Sequence, residues 1–456
     1  MRRLRFAIPF SLLALALAPS RSAAVGPPAR YTLPNGLSVV LDPMPARRSV
    51  AVVVSVEAGR RDQPQGWSGL AHLTEHLLFQ GTPAAPGELF TRLERLGASE
   101  INAQTSDDWT RYHEVVPSAR LERTLWLEAE RFAHGLDGLD ARGLAEQQRV
   151  LDRERELRDL RREAVWELVR GVLYPASHPY GRSSERGSDV HAARVEDVRW
   201  FFQRHYMPDR LTLSLSGGFD PQDARGWIER YFGPLRRGAI PAPERQHPTP
   251  PVRIDAERRI LAEARRADDL LCVIWPTPAW GAEGDAELDF VASELTRRLT
   301  EWRTAADDVR EIDIVQASGH LASTFRACIS VARRSGTLAP LVALNHEIDL
   351  LRRDGIDERR VIAWRERWRQ RELLTMESSL TRALLNAARP PAFPGGLYDL
   401  SANLARYDAV TTAGVQDAAR RWLPRNERLV VSVAGRHEAP ADGRIVSDVL
   451  VREATP

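Results

Sequence analysis

The chain has 456 residues, 43% of them hydrophobic and 28% charged, a composition that fits two or three soluble globular domains and excludes a disordered or low-complexity protein. Every basic side chain other than histidine is arginine, which excludes a lysine nucleophile, a Schiff base and a phosphate-loop lysine. The formal charge of +2 owes its sign to the four arginines of residues 1–24, without which it is −2, so it gives no support to a nucleic-acid partner.

In chain order, residues 1–24 read as a signal peptide. Arg2, Arg3 and Arg5 precede the apolar run FAIPFSLLALALA, and Ser22-Ala23-Ala24 offers a small-x-small cleavage site. That run is too short to span a bilayer comfortably, and no other stretch is long and apolar enough. The expectation is a periplasmic or secreted protein with no stable membrane span.

YTLPNGLSVVLDP then reads as a hairpin turning at Asn35-Gly36, and SVAVVVSVEAGRRDQ as a strand with strong β-branched content. GLAHLTEHLLFQGT and FTRLERLGAS have helical spacing, the second ending at Gly97. INAQTSDDWTRYHEVVP reads as two short strands around a polar turn. ARLERTLWLEAERFAH is helical, and one long charge-rich helix is expected from Leu144 to Leu173. After the loop HPYGR come the helix VEDVRWFFQRHY, the strand DRLTLSLSGGFDP and the helix DARGWIERYFGPL. Residues 236–255 are proline-rich and aperiodic, a linker. The second half repeats the outline: LLCVIWPTP and FRACISVA as strands, helices at DAELDFVASELTRRLTEW, LAPLVALNHEIDLLRRDG, IDERRVIAWRERWRQRELLTME and VTTAGVQDAARRWLP, and RLVVSVAGR as the last strand. The expected fold is α+β: two homologous domains, 25–235 and 256–440, each a mainly antiparallel sheet with helices on one face, and a tail at 441–456. Cys272 and Cys328 lie in apolar strand-like runs, and the simplest expectation is two buried free thiols, since a bridge needs close Cα atoms.

The chemistry concentrates in His72-Leu-Thr-Glu75-His76. Histidines four apart share one helix face, the spacing that lets two imidazoles grip one zinc ion. Glu75 points to the same side and can reach a metal-bound water. The order His-x-x-Glu-His is the inverted zinc-peptidase motif. A third protein ligand is needed, and His113, His134, Glu146, Asp152, Glu154 and Glu156 all lie within reach along the chain. Local chemistry does not choose among them.

These motifs resemble the pitrilysin, insulin-degrading enzyme and mitochondrial processing peptidase family of zinc metallopeptidases. The resemblance is carried by GLAHLTEHLLFQGT, INAQTSDDWTRYHEVVP, HPYGR and FDPQDARGWIERYFGPL over residues 30–235, and by pattern alone over 256–437. It implies that Glu154, in Val150-Leu-Asp-Arg-Glu154-Arg, is the third ligand of a single zinc per chain, and that Glu75 is the catalytic base. It implies an extended peptide substrate added to the sheet edge near Asn102 and Ala103. It also implies a partner, either a copy of this chain or a zinc-less homologue. Two departures stand out. Gln147 occupies a position where relatives often carry a supporting glutamate. The second half also lacks the arginine–tyrosine pair that holds substrate in many members, with no tyrosine placed suitably near Arg303 and Arg310. The reading is thus an exported zinc endopeptidase. Its alternative is a weak or inactive peptidase-like binding or scaffold subunit that works with a homologous partner.

Overall fold

In the computed structural model, residues 27–159, 163–175, 177–183, 189–237, 252–303, 308–389, 393, 397–436, 445–446 and 449–454 are described. The 1–24 signal and most of the 236–255 linker fall outside them.

The first half contains β1 (Ala29–Thr32), β2 (Ser38–Pro43), β3 (Ser49–Val56), α1 (Leu70–Leu77), α2 (Leu89–Arg95), β4 (Ser99–Thr105) and β5 (Thr110–Pro117). It continues with α3 (Leu121–His134), α4 (Ala141–Asp159), α5 (Glu163–Leu173), α6 (Asp189–Ala192), α7 (Val195–His205), β6 (Leu211–Gly217) and α8 (Pro221–Phe232). The long helix expected over 144–173 is described as two, α4 and α5. The sheet runs β1-β2-β6-β3-β5-β4, with β2–β6 parallel and the other pairings antiparallel. Gly36 turns the first hairpin at φ +98°, and a Cβ there would meet Asp209 Cβ at 2.8 Å, so glycine is required twice over.

The second half contains β7 (Arg258–Arg265), β8 (Asp268–Thr277), α9 (Asp285–Arg303), β9 (Val309–Ala317), β10 (Ser323–Ala332), α10 (Leu338–Asp354) and α11 (Glu358–Thr375). After these come α12 (Ser379–Asn386), α13 (Leu400–Asp408), α14 (Thr412–Trp422), β11 (Leu429–Arg436), β12 (Ile445–Val446) and β13 (Val449–Ala454). Its sheet runs β12-β13-β7-β11-β8-β10-β9, with β7–β11 parallel. The order β7-β11-β8-β10-β9 repeats β2-β6-β3-β5-β4, hand for hand, and that repetition is the duplication expected from the sequence. The segment expected to be a tail instead supplies β12 and β13, with β13 paired along β7. The free edge of β7 provides a backbone ladder that hydropathy did not reveal.

Each half carries its helices on one face, and the other face is closed by a helix borrowed from the opposite half. Strand alternation makes this possible. Val50, Val52, Val54 and Val56 of β3 face the first core, while Ala51 and Val53 pack against Ala383 of α12 and Ala387 at its C-terminal end. On β8, Leu271, Val273 and Trp275 face the second core, while Cys272 and Ile274 pack with Val169 and Leu173 of α5. The exchange of α5 and α12 joins the halves and brings second-half residues to the site described below.

The expected free thiols are corrected. Cys272 and Cys328 lie directly opposite each other on β8 and β10, with Cα atoms 4.1 Å apart, and form a disulfide. The two strands are separated by α9 and β9 in sequence, and only their register makes the cysteines neighbours.

Candidate metal centre

The site is built on α1. Gly69 precedes it at φ +84°, and a Cβ there would meet Val190 Cγ2 at 2.7 Å. Gln63 Oε1 accepts from the Ala71 N–H at 2.9 Å, which satisfies an orphan donor of the first turn. Leu70, Ala71, Leu73 and Leu77 anchor the helix in the first core. This leaves His72, Glu75 and His76 facing a cavity of about 790 Å³. His72 and Glu75 are 8% and 6% exposed, so their polar atoms are withheld from bulk water and need partners.

Those partners converge. The Nε2 atoms of His72 and His76 are 3.2 Å apart. Glu154, delivered by α4, places its carboxylate oxygens 3.7 Å from His72 Nε2 and 3.6 Å from His76 Nε2. Zinc–ligand bonds of about 2.0–2.1 Å at tetrahedral angles set ligand atoms roughly 3.3 Å apart. The observed triangle is close to one face of that tetrahedron, so the residues present fit a zinc ion. His72, Glu75 and His76 also form the metal-competent cluster found among the described residues. Of the six candidate third ligands, Glu154 is the one brought to the two histidines. His134 pairs with Asp137 at 2.7 Å on the surface, and Asp152 pairs with His191 at 2.9 Å. His113 lies on β5 opposite Asn102, and Glu146 is exposed. The Glu156 side chain is not described.

Thr105, which the sequence reading did not single out, donates its hydroxyl to Glu75 Oε2 at 2.5 Å. Its inward position follows from the alternation of INAQT along β4, in which Ala103 and Thr105 share a face. Thr105→Val is expected to lower kcat about tenfold with zinc content unchanged, since one charge-assisted hydrogen bond is lost. Peptide turnover and metal analysis of the variant, with Thr105→Ser as the rescue, check this.

Asn102 and Ala103 line the cavity, and β4 is the outer strand of its sheet. Asn102 is exposed, and its Oδ1 accepts from the Ala103 N–H at 2.8 Å. The strand carries a bulge between Ser99 and Asn102, with Glu100 at φ +52°, a feature common at sheet edges beside active sites. Gln147 is 8% exposed and lines the same cavity, whereas the adjacent Glu146 points away.

The turn between β4 and β5 ties the site to the second half. Asp108 pairs with Arg61 at 2.5 Å, takes the Tyr180 hydroxyl on both oxygens at 2.8 Å, and accepts from the His320 N–H at 3.0 Å. Burial, then the neighbouring Asp108 charge, push the Tyr180 hydroxyl well above its usual pKa, so it remains a donor. This is the structural role of HPYGR. Arg170 Nη1 of α5 donates to both carboxylate oxygens of Asp107, at 2.8 and 2.7 Å. Arg303 and Arg310, where a second-half substrate contact was sought, are exposed and do not line the cavity. Arg326 on β10 does, lying over the Trp166 ring at 4.4 Å.

Residues 38–170 match the insulinase description of peptidase family M16, and residues 192–361 match the M16 inactive-domain description. An uncharacterized zinc protease of Mycobacterium leprae is 30% identical over 323 residues, 68% of this chain and 70% of its own length. The chain belongs to peptidase family M16. Among solved structures, a protease from Helicobacter pylori shares this M16 fold at a TM-score of 0.76 and 20% identity, over 90% of this chain and 100% of that one. The first half of the periplasmic protease PqqL from Escherichia coli has a TM-score of 0.70 at 16% identity, over 90% of this chain and 92% of that one. This M16 chain covers 48% of the longer PqqL structure. Among its described residues, no helix is long and apolar enough to cross a membrane.

Proposed function

We propose that this chain is an exported zinc-dependent endopeptidase that hydrolyses extended peptides or unfolded segments. The observation that carries the reading is the convergence of His72, His76 and Glu154 beside Glu75. His72, His76 and Glu154 would hold one zinc per chain. When bound, the metal supplies Lewis acidity and lowers the pKa of water. Glu75, held at Oε2 by Thr105, accepts a proton from the attacking water and returns it to the leaving amine. The substrate lies along β4 past Asn102 and Ala103, where main-chain bonds give affinity with little sequence preference. Export rests on the signal-like residues 1–24. The PqqL chain, of which this one spans 48%, supports a second two-domain unit as partner, either a copy or a zinc-less homologue.

A binding or scaffold subunit is the second reading. Gln147 favours it, since a carboxamide stands in the cavity where relatives often carry a carboxylate. The test is to incubate the purified mature chain with a library of unstructured peptides and follow cleavage by mass spectrometry. The proposal expects cleavage that a chelator removes and zinc restores. Zinc-loaded chain that binds peptides and cleaves none would leave the scaffold reading.

A further inference from the structure

Within the peptidase reading, on which this inference rests, we propose that Arg326 makes the site select peptides that present a carboxylate to the second-half wall of the cavity. Among the described residues, three arginines line this cavity: Arg60, Arg170 and Arg326. Two of them are engaged. Arg60 Nη2 donates to the Thr105 carbonyl at 2.9 Å, and Arg170 Nη1 donates to both oxygens of Asp107. Arg326 differs. No hydrogen bond or ion pair to a described residue holds its guanidinium, and its Nε, like those of Arg60 and Arg170, is buried without a hydrogen-bond partner.

The position is held, not adaptable. Arg326 projects from the face of β10 that meets α5, where its guanidinium lies 4.4 Å from the Trp166 ring centroid. That contact orients the cation, and among the described residues no acceptor is recorded for its N–H groups. Burial pushes the guanidinium pKa down, with Asp313 the foremost of the charges opposing that shift, but an arginine stays charged throughout the working range of pH. A half-buried guanidinium lacking an acceptor is costly. A planar carboxylate satisfies it with two parallel bonds. Glu75 and Glu154 face the metal position, Asp107 is taken by Arg170, and Asp313 acts on the guanidinium from beyond ion-pair distance, so none of these described carboxylates does this. The bound peptide can offer such a carboxylate, as an Asp or Glu side chain or as the free C-terminus.

The experiment compares peptide pairs on the zinc-loaded full chain, differing by Glu to Gln or Asp to Asn at successive positions, each with a free or amidated C-terminus. The expected result is that acidic peptides exceed their neutral partners about tenfold or more in kcat/KM, the size of one charge-assisted pair. The peptide that loses its advantage shows whether a side chain or the C-terminus is bound. In Arg326→Gln that ratio is expected to fall to about one, and in Arg326→Glu to invert; Arg326→Lys is expected to keep part of it. Because the ratio is the readout, a general loss of activity does not obscure it. If no peptide is cleaved, the peptidase reading fails but the inference is still decided, by calorimetric binding of the same pairs to Glu75→Gln. A wild-type ratio near one in both assays, or a preference that survives in Arg326→Gln, would overturn it.

Discussion

Glu75→Gln is expected to abolish peptide cleavage, with kcat down about 10²–10⁴-fold, the contribution of a positioned general base, while zinc content stays at the wild-type level. The two effects separate because the metal-facing triangle is made by His72, His76 and Glu154, and Glu75 is held from another direction by Thr105. Glutamine has the same shape, and its carbonyl oxygen still accepts the Thr105 hydroxyl. A residue only 6% exposed also loses little stability when its charge is removed, because a buried charge is costly. His76→Ala is expected to behave differently and lose metal and activity together. Metal analysis by mass spectrometry, run beside peptide turnover, distinguishes the two patterns. Cleavage that persists in Glu75→Gln would remove Glu75 from the mechanism and return the choice of base to other groups in the cavity.

How much of this was legible in the sequence follows from how local each signal is. His72, Glu75 and His76 share a face because of helix periodicity alone, and that needs eight residues of context. Glu154 does not have that advantage. It lies on a charge-rich helix beside Glu146, Asp152 and Glu156, and only the likeness of VLDRER to a family pattern singled it out. The cysteine pair was misread because strand register is a property of the whole sheet. α12 went unseen because it is only eight residues long, too short for its periodicity to stand out, although Leu380, Ala383 and Leu384 recur at helical spacing on the sheet-facing side and Ser378 caps its first turn by accepting from the Thr381 N–H at 3.2 Å. Arg326 was missed for a different reason. The side of β10 it occupies became a cavity wall only when α5 crossed over from the other half.

That crossing makes the joint between the halves the place where a single change should cost most. Asp42→Ala is expected to destabilise the chain by about 3–5 kcal/mol, the cost of breaking a buried ion pair from one side. The Asp42 side chain is fully buried, and Arg382 of α12 grips it through Nε at 2.5 Å and Nη2 at 2.6 Å. Ser216 and Asn386 also donate to it, at 3.1 and 3.3 Å. Without the carboxylate, the Arg382 guanidinium, 19% exposed, is left against the sheet with no anion. Urea unfolding, followed by tryptophan fluorescence and by circular dichroism, measures the loss, and α12 undocking first would separate the two transitions. Asp42→Asn, which keeps an acceptor, is expected to cost less. Adding Arg382→Met to Asp42→Ala should recover part of the stability, because the double variant has no stranded charge. A loss under about 1 kcal/mol in Asp42→Ala, the range of an exposed pair, would show that apolar contacts such as Ala51–Ala383 hold the halves together. The pair at Asp42 would then fix which way α12 lies, and contribute little to whether it docks.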